Sequence, residues 1–508
     1  MSAAPDPTPR PLDHLAECGE AERPALVLRS ETLSHEDLRT RVATMSAWLR
    51  DQVPQSGARV ASWAAKGEAT CVLPLACARA GLVHVPINPL LKRMQAAHIL
   101  HDCEARLLIA NEARKASLEQ DDIPTSCAVI EEDEAMTAAR QFEERLPPSK
   151  ADPDELAAIL YTSGSTGRPK GVMLSHANMW LGAVSVAHYL GMAKDDVTLG
   201  VLPLSFDYGQ NQLLSTWYAG GSVVPLDYLF PRDVVKACAR HGVTTLAAVP
   251  PLWVQLMETE WPPEAVASMR RLTNSGGALT RELVSTLRSK LPEARIFPMY
   301  GLTEAFRSTY LDPELVDDHP TSMGTAIPFA EILVVNDAGA VADPGEEGEL
   351  VHCGPLVAQG YWNDPERTAE RFRPAPAASR YGGTAVWSGD RVTRDEHGLL
   401  HFVGRRDAMI KSAGNRISPQ EIEDAARTTG LVAESVALGV PDGRLGHVIH
   451  LVVRPNGDRA AAEAELPRQL AAALPNFMQP KVIHYRENLP LNPNGKLDRG
   501  AIAKEIGA

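Results

Sequence analysis

Long apolar runs are missing from this 508-residue sequence. No stretch approaches the roughly 20 apolar residues that a membrane-spanning helix needs, which excludes membrane insertion. The first fifteen residues hold four prolines and no apolar core, so they do not read as a secretory leader. Cysteine is scarce and scattered: Cys18, Cys71, Cys77, Cys103, Cys127, Cys238 and Cys353 form no CxxC pair and no Cys/His cluster. That excludes a disulfide framework and a zinc centre, and it fits a reducing, cytoplasmic setting. Positive charge is in deficit, with 50 basic against 64 acidic side chains and a formal charge of −14. A sequence-independent grip on nucleic acid is therefore not expected. Internal repeats are absent, as is a Ser/His/Asp or Cys/His arrangement for nucleophilic catalysis. Cys353, beside Gly354 in a strand-like run, reads as core.

What is present is an ordinary globular composition, 44% hydrophobic and 22% charged, in a chain too long for one compact core. Strand-like runs at Arg59–Trp63, Leu82–Ile87, Leu156–Tyr161, Thr198–Leu202, Ser222–Leu226, Thr244–Val249 and Arg295–Tyr300 alternate with helix-period segments. This alternation predicts an α/β fold of helix-covered, mostly parallel sheets, with ligands beyond the carboxyl ends of the strands. Ile332–Val335 and Glu347–Val351 predict a smaller, more antiparallel β section, and Phe372–Ala378 a surface loop. The character changes after Gly404, where a charged segment leads into a small α+β domain. The boundary falls at Arg406–Asp407, giving domains 1–406 and 407–508. Ser418 followed by Glu421 predicts a capping box on a helix starting near Pro419.

The most informative segment follows the strand Leu156–Tyr161 directly: Thr162-Ser-Gly-Ser-Thr-Gly-Arg-Pro-Lys-Gly171. Gly164, Gly167 and Gly171 permit close approach of backbone N–H groups to an anion. Thr162, Ser163, Ser165, Thr166 and Lys170 add donors and charge suited to phosphate oxygens. A flexible linker is the bland alternative, but a linker would not follow a buried strand. The glycine spacing is not that of the GxxxxGK[ST] loop of kinases and GTPases.

The loop resembles the first core motif of the AMP-forming adenylate-forming superfamily, which includes acyl-CoA synthetases, luciferases and nonribosomal adenylation domains. The likeness runs from about Leu26 to the C-terminus with the motifs in family order. Tyr300-Gly-Leu-Thr-Glu304 resembles a segment in which Thr303 would contact the α-phosphate and Glu304 would hold Mg²⁺. Trp387-Ser-Gly-Asp390 resembles the segment whose aspartate accepts both ribose hydroxyls. Gly404-Arg-Arg-Asp407 resembles the hinge motif, with Arg405 on the nucleotide and Asp407 as pivot. Gly414-Asn-Arg-Ile417 would line a pantetheine tunnel. Pro493-Asn-Gly-Lys496-Leu-Asp498 resembles the terminal motif, making Lys496 the expected catalytic lysine.

The resemblance implies activation of a carboxylic acid by ATP and Mg²⁺ to acyl-AMP and pyrophosphate, then transfer to the phosphopantetheine thiol of CoA or of a separate carrier protein. The C-terminal domain is expected to be mobile and to swing between the two steps. Two rivals remain to be tested: a nucleotide-binding protein without turnover, and a kinase releasing ADP. In Leu202-Pro-Leu-Ser-Phe-Asp-Tyr-Gly209, Asp207 resembles the aspartate that holds the α-ammonium of an amino acid. A buried carboxylate needs a cation partner, which makes an ammonium ligand reasonable. A structural Asp capping the next helix is the competing reading. A small amino acid is thus the expected substrate, with a non-amino short or aryl acid as alternative. By the same likeness the acid pocket would be lined by Tyr208, Asn211, Trp253, Thr273, Ser275, Met299, Arg307 and Ser308. Arg307 would either bind a second acidic group or pair with an acid of the chain. Within the superfamily, exosortase-associated acyl-CoA ligases and stand-alone ligases loading amino acids onto carrier proteins look most similar.

Overall fold

The computed structural model describes residues 4–162, 169–405, 410–412, 415–442, 446–474 and 476–508. Two of its sheets carry the α/β part of the chain. In the first, Ala128–Glu131, Leu107–Ala110, Arg59–Trp63, Val83–Pro86 and Leu156–Thr162 lie side by side in parallel, and Lys170–Ser175 closes the edge antiparallel. These strands are nearly continuous runs of small and β-branched apolar residues, as expected where helices cover both faces. In the second, Pro24–Val27, Ser222–Pro225, Val197–Gly200, Thr245–Ala248, Arg271–Asn274 and Arg295–Tyr300 are parallel neighbours.

The short strand Thr309–Tyr310 converts this parallel sheet into the antiparallel section. It pairs with Arg295–Tyr300 on one side and Ser322–Ala326 on the other. The sheet then continues through Leu400–Arg405, Thr384–Arg394, Glu347–Cys353 and Glu331–Val335. Cys353 ends its strand fully buried among Leu333, Val351 and Ala385. The segment expected as a loop at Phe372–Ala378 begins instead as a strand. Phe372–Pro374 pairs with Thr384–Val386, and the Arg373 guanidinium lies over the Trp387 ring at 3.8 Å. The prolines and alanines suggested a loop, but an edge strand tolerates Pro374 at its end.

The C-terminal part builds its own five-stranded sheet from Ile410–Ser412, Asn415–Ile417, Val432–Asp442, Gly446–Pro455 and Val482–Tyr485. Helices Pro419–Thr428 and Arg459–Ala473 pack on it around Ile422, Leu451, Leu466 and Leu470. The expected boundary at Arg406–Asp407 lies outside the described residues. Ser418 occupies the N-cap position, but its side chain makes no capping bond, so the capping box is not formed. Its hydroxyl donates to the Val403 carbonyl, because the helix start is buried against the strand Leu400–Arg405. Among the described residues, no helix is long and apolar enough to cross a membrane.

Candidate functional site

The site lies where carboxyl ends of the parallel strands open onto the C-terminal part of the chain, as α/β topology predicts. It is a cleft of about 210 Å³ whose lining includes Thr162, Lys170, Asp207, Tyr208, Ser275, Thr303, Glu304, Arg405 and Lys496. Thr162 and Lys170 are register partners at the ends of paired strands, so they flank the phosphate-loop segment. Ser163, Gly164, Ser165, Thr166 and Gly167 themselves lie outside the described residues, as do Asp407 and Gly414.

Glu304 leaves the strand Arg295–Tyr300 in a single turn, Thr303–Ala305. Its Oε1 takes two partners: Lys170 Nζ at 3.2 Å and the Tyr361 hydroxyl at 2.5 Å. The same hydroxyl accepts from Lys170 Nζ at 2.7 Å. Burial would raise the Glu304 carboxyl, but Lys170 and Tyr361 outweigh it and hold the group below its ordinary value, ionised. Burial lowers Lys170, with Glu304 opposing. The sequence pointed to Lys170 and Glu304 but not to Tyr361, since a tyrosine between Gly360 and Trp362 is ordinarily a packing residue.

The residue immediately after this turn is bent sharply. Phe306 adopts φ +55°, ψ −43°, a sparsely populated conformation for a bulky side chain. Its ring is fully buried against Gly182 of the helix His176–Leu190, where a Cβ would stand 2.1 Å from the ring. The packing holds the strained backbone in place. Its effect is to turn Glu304 to the cleft and Arg307 inward. Arg307 is 2% exposed, lies over the Tyr208 ring at 4.6 Å, and brings a terminal nitrogen to 3.9 Å from Asp207 Oδ2.

Asp207 is the first residue of the helix Asp207–Tyr218, but it does not cap it; Phe206 holds the N-cap position without a side-chain bond. Its Oδ1 accepts from the Thr303 hydroxyl at 3.0 Å. The cation that a buried carboxylate requires is thus supplied from within the chain by Arg307, which pairs with a buried acid and not with a surface one. A second, smaller cavity of about 20 Å³ is lined among others by Tyr208, Asn211, Thr273, Met299 and Arg307. The Tyr208 hydroxyl bonds Thr273 Oγ1 at 2.8 Å. Two of the expected pocket residues lie elsewhere. Trp253, packed in the main hydrophobic core, and Ser308, bonded to His352 Nδ1 at 3.0 Å, line neither the cleft nor the small cavity.

Asp390 and Arg405 face each other across the antiparallel pair Thr384–Arg394 and Leu400–Arg405, with Arg405 Nε 3.1 Å from Asp390 Oδ1. Tyr300 donates its hydroxyl to Asp390 Oδ2 at 2.5 Å, and burial followed by this carboxylate holds the phenol well above its ordinary value.

Lys496 enters the cleft from the C-terminal part on a tight turn. Asn492 shapes it, its N–H bonding the Lys496 carbonyl at 2.7 Å and its Oδ1 accepting from the Lys496 and Asn494 amides. Two residues on, Asp498 caps the last helix, Arg499–Ile506, and Arg499 is fastened to the buried carboxylate of Glu423. On the other side Asn88 Nδ2 bonds the Pro493 carbonyl at 3.0 Å and Asn494 Oδ1 at 3.1 Å. Gly276, at φ +85°, leaves room for the lysine stem; a Cβ there would stand 2.4 Å from Lys496 Cε. Burial lowers the Lys496 ammonium, with Asp207 opposing. Asn88, Asn492, Gly276 and Arg371, another lining residue of the cleft, carry no sequence signature that sets them apart from turn and surface residues.

The cleft therefore presents Lys170, Arg371, Arg405 and Lys496 against the carboxylates Asp207 and Glu304. Such a site suits a polyanion and a reacting carboxylate despite the chain's acidic balance. Glu304 is an ionised hard-oxygen donor, which fits a magnesium ion. Among the described residues no cluster of three or more metal-ligating side chains exists, so substrate oxygens would complete its coordination.

A family model for "AMP-binding enzyme" matches residues 13–362, and one for "AMP-binding enzyme C-terminal domain" matches residues 421–496. A feruloyl-CoA synthase of Amycolatopsis sp. is 31% identical, over 94% of this chain and 94% of that protein. An L-proline–[L-prolyl-carrier protein] ligase of Streptomyces coelicolor is likewise 31% identical, over 98% of this chain and 96% of that protein. The solved structure of o-succinylbenzoate-CoA synthetase from Bacillus subtilis, in complex with its acyl-adenylate intermediate, superimposes with a TM-score of 0.83 at 27% identity, covering 97% of this chain and 98% of that one.

Proposed function

The chain belongs to the AMP-binding enzyme family, and from that premise we propose that the cleft activates a carboxylic acid with ATP and passes the acyl group to a pantetheine thiol. The observation that carries this reading is the meeting of Lys496, from the C-terminal part, with Thr303, Glu304 and Ser275 from the strand ends in one cleft. In the first step a carboxylate oxygen attacks the α-phosphorus, forming an acyl–phosphate bond while pyrophosphate departs. Lys496, which lines the cleft, would offset the charge shared by the attacking carboxylate and the α-phosphate, a stabilisation that is largest in the transition state. Thr303 adds a hydroxyl on the same side. Glu304 would hold the magnesium ion, which supplies charge neutralisation on the leaving pyrophosphate. Asp390, held by Tyr300 and Arg405, is proposed as the acceptor of the ribose hydroxyls. In the second step the thiol sulfur attacks the acyl carbon and AMP leaves. Asp407 and Gly414 are proposed as pivot and tunnel residue for a domain rotation that withdraws Lys496.

The acid is either an amino acid or a non-amino acid, and the relatives include ligases of both kinds. The Arg307–Asp207 pair favours the second, since Asp207 already faces a cation. Lys496→Ala tests the main reading. Pyrophosphate release is expected to fall about 10²–10³-fold, the effect of removing one preorganised charge-stabilising donor, with ATP binding retained. Undiminished acyl-AMP formation, or ADP as the product, would sink it. A thiol panel of CoA and a phosphopantetheinylated carrier identifies the acceptor.

A further inference from the structure

We propose that Asn88 is a positioning residue for Lys496, fastening the lysine turn in the acid-activating arrangement and releasing it for the thiol step, an inference that rests on the adenylating reading above. The turn at residues 492–498 reaches the cleft from the C-terminal part, so a contact on the N-terminal part has to set its place. Two of its neighbours are only permissive. Gly276 leaves room for the lysine stem, and Gly495, at φ +78°, lets the turn pass Val249, where a Cβ would stand 3.4 Å from Cγ2. Close approaches of this kind admit the turn but do not hold it. The directional contact is Asn88, whose Nδ2 donates to the Pro493 carbonyl and to Asn494 Oδ1. Among the described residues, no other hydrogen bond joins residues 492–498 to residues before 406.

Backbone partners fix the orientation of this amide. The Pro493 carbonyl can only accept, so Nδ2 faces it, and the Leu90 amide can only donate, so Oδ1 takes it at 2.9 Å. Asn88 is buried and its segment is braced against the strands that bear Thr162 and Lys170. The Pro89 carbonyl accepts from Arg114, whose guanidinium lies over the Trp63 ring at 5.1 Å. In the helix Arg93–Asp102 that follows, His98 Nε2 bonds the Pro169 carbonyl at 3.1 Å, and Asp102 accepts from the Tyr161 hydroxyl. Tyr161 adjoins Thr162 and Pro169 adjoins Lys170, so the anchor of the lysine turn and the two residues flanking the phosphate-loop segment share one support. Lys496 is thereby placed in register with them. The contact also suits a residue that has to let go. Two hydrogen bonds between neutral groups specify a position, yet they separate at far less cost than a buried ion pair. A further bridge between the two parts, Arg454 to Glu258 at 3.3 Å, ends on an exposed glutamate and contributes little.

The test compares Asn88→Asp with the wild-type full-length protein in ATP and magnesium. The substitution keeps the acceptor for Leu90 and replaces the donor that faces the turn with a carboxylate oxygen. Trypsin cleavage of the Lys496–Leu497 bond, followed by mass spectrometry, reports release of the turn, and cleavage after the exposed Arg468 reports on the C-terminal part as a whole. Cleavage at Lys496 is expected to be about tenfold faster in the variant, with cleavage at Arg468 unchanged, because two buried acceptors lose their donor. Glu258→Gln is expected to leave both rates within about twofold. Pyrophosphate release, with ferulate and L-proline as probe acids, is expected to fall about tenfold in kcat with a smaller change in KM for ATP. The same substitution in a Lys496→Ala background is expected to cost nothing further, since Asn88 acts only through the lysine. Unchanged cleavage at Lys496, equal acceleration at both trypsin sites, or a loss of activity that adds in full to that of Lys496→Ala would overturn the inference. If neither acid supports release, the proteolysis decides it alone. Undiminished pyrophosphate release in Lys496→Ala would overturn the ligase reading, while accelerated cleavage in Asn88→Asp would still support the docking contact.

Discussion

Tyr361→Phe isolates one hydroxyl that touches both Lys170 and Glu304 in the cleft. The ring itself should remain in place, since it packs edge-on against Phe372 at 5.4 Å and lies 4.1 Å from Lys170 Nζ. What is lost is the 2.5 Å bond to Glu304 and the 2.7 Å bond from Lys170. A hydrogen bond to a charged group contributes about 1.5–3 kcal/mol, and each 1.36 kcal/mol is tenfold in rate. The expected fall in kcat/KM for pyrophosphate release is therefore about ten- to a hundredfold, with the magnesium requirement raised alongside. The pH profile adds a readout that packing alone would not move. Glu304 is held below its ordinary value, so its ionised form is present at neutral pH and is lost as pH falls through the folded-state value. Without the hydroxyl one lowering influence is gone, and the acid limb of the profile moves toward higher pH. The assay is coupled pyrophosphate release across pH and magnesium concentration. A variant within twofold of wild type with an unmoved acid limb would refute the reasoning.

Two further substitutions probe the supports of the site. Gly182→Ala places a Cβ 2.1 Å from the buried Phe306 ring, and overpacking of this kind costs about 1–3 kcal/mol, so the thermal midpoint is expected to fall; an unchanged melting curve would show that the Phe306 bend is not pinned by this helix. Asp390→Asn keeps an acceptor for Tyr300 but removes the charge that faces Arg405, and about tenfold loss of preference for ATP over its deoxyribose analogues is expected in competition assays, whereas a retained preference would place ribose recognition elsewhere.

Much of this molecule is legible in local pattern. The strand Arg295–Tyr300 appears over the residues its apolar run predicts, and Thr162, Lys170, Glu304 and Lys496 meet in one cleft because each motif sits at a strand end or a tight turn. What was not legible depends on tertiary context. The Ser418 hydroxyl reads as a cap in sequence, but the Val403 carbonyl, from the neighbouring strand, takes it. Trp253 and Ser308 carry pocket-like positions, yet one faces the core and the other His352. The pairing of Asp207 with Arg307 joins residues far apart in sequence through the bend at Phe306, and no local rule announces a positive φ at a phenylalanine. Tyr361 was hidden for the opposite reason: nothing about an isolated tyrosine distinguishes one that bonds a lysine and a glutamate from one that only packs.

The Arg307–Asp207 pair also bears on the chemical step. Asp207 lines the same cleft as Lys496 and opposes the burial that lowers the lysine. An uncompensated carboxylate in that place would stabilise the ammonium of Lys496 but repel the attacking carboxylate. At about 4 Å and an effective dielectric near 20, a unit-charge repulsion is about 4 kcal/mol, comparable with what one well-placed cation contributes to the transition state. Arg307, paired with Asp207, would offset that repulsion, leaving Lys170, Arg371, Arg405 and Lys496 as the cationic lining of the cleft. On this reasoning Arg307 is expected to bear on rate as well as on the choice of acid. Its removal should slow adenylation even of acids that make no contact with it, and the acidic overall charge of the chain says little about the field inside the cleft.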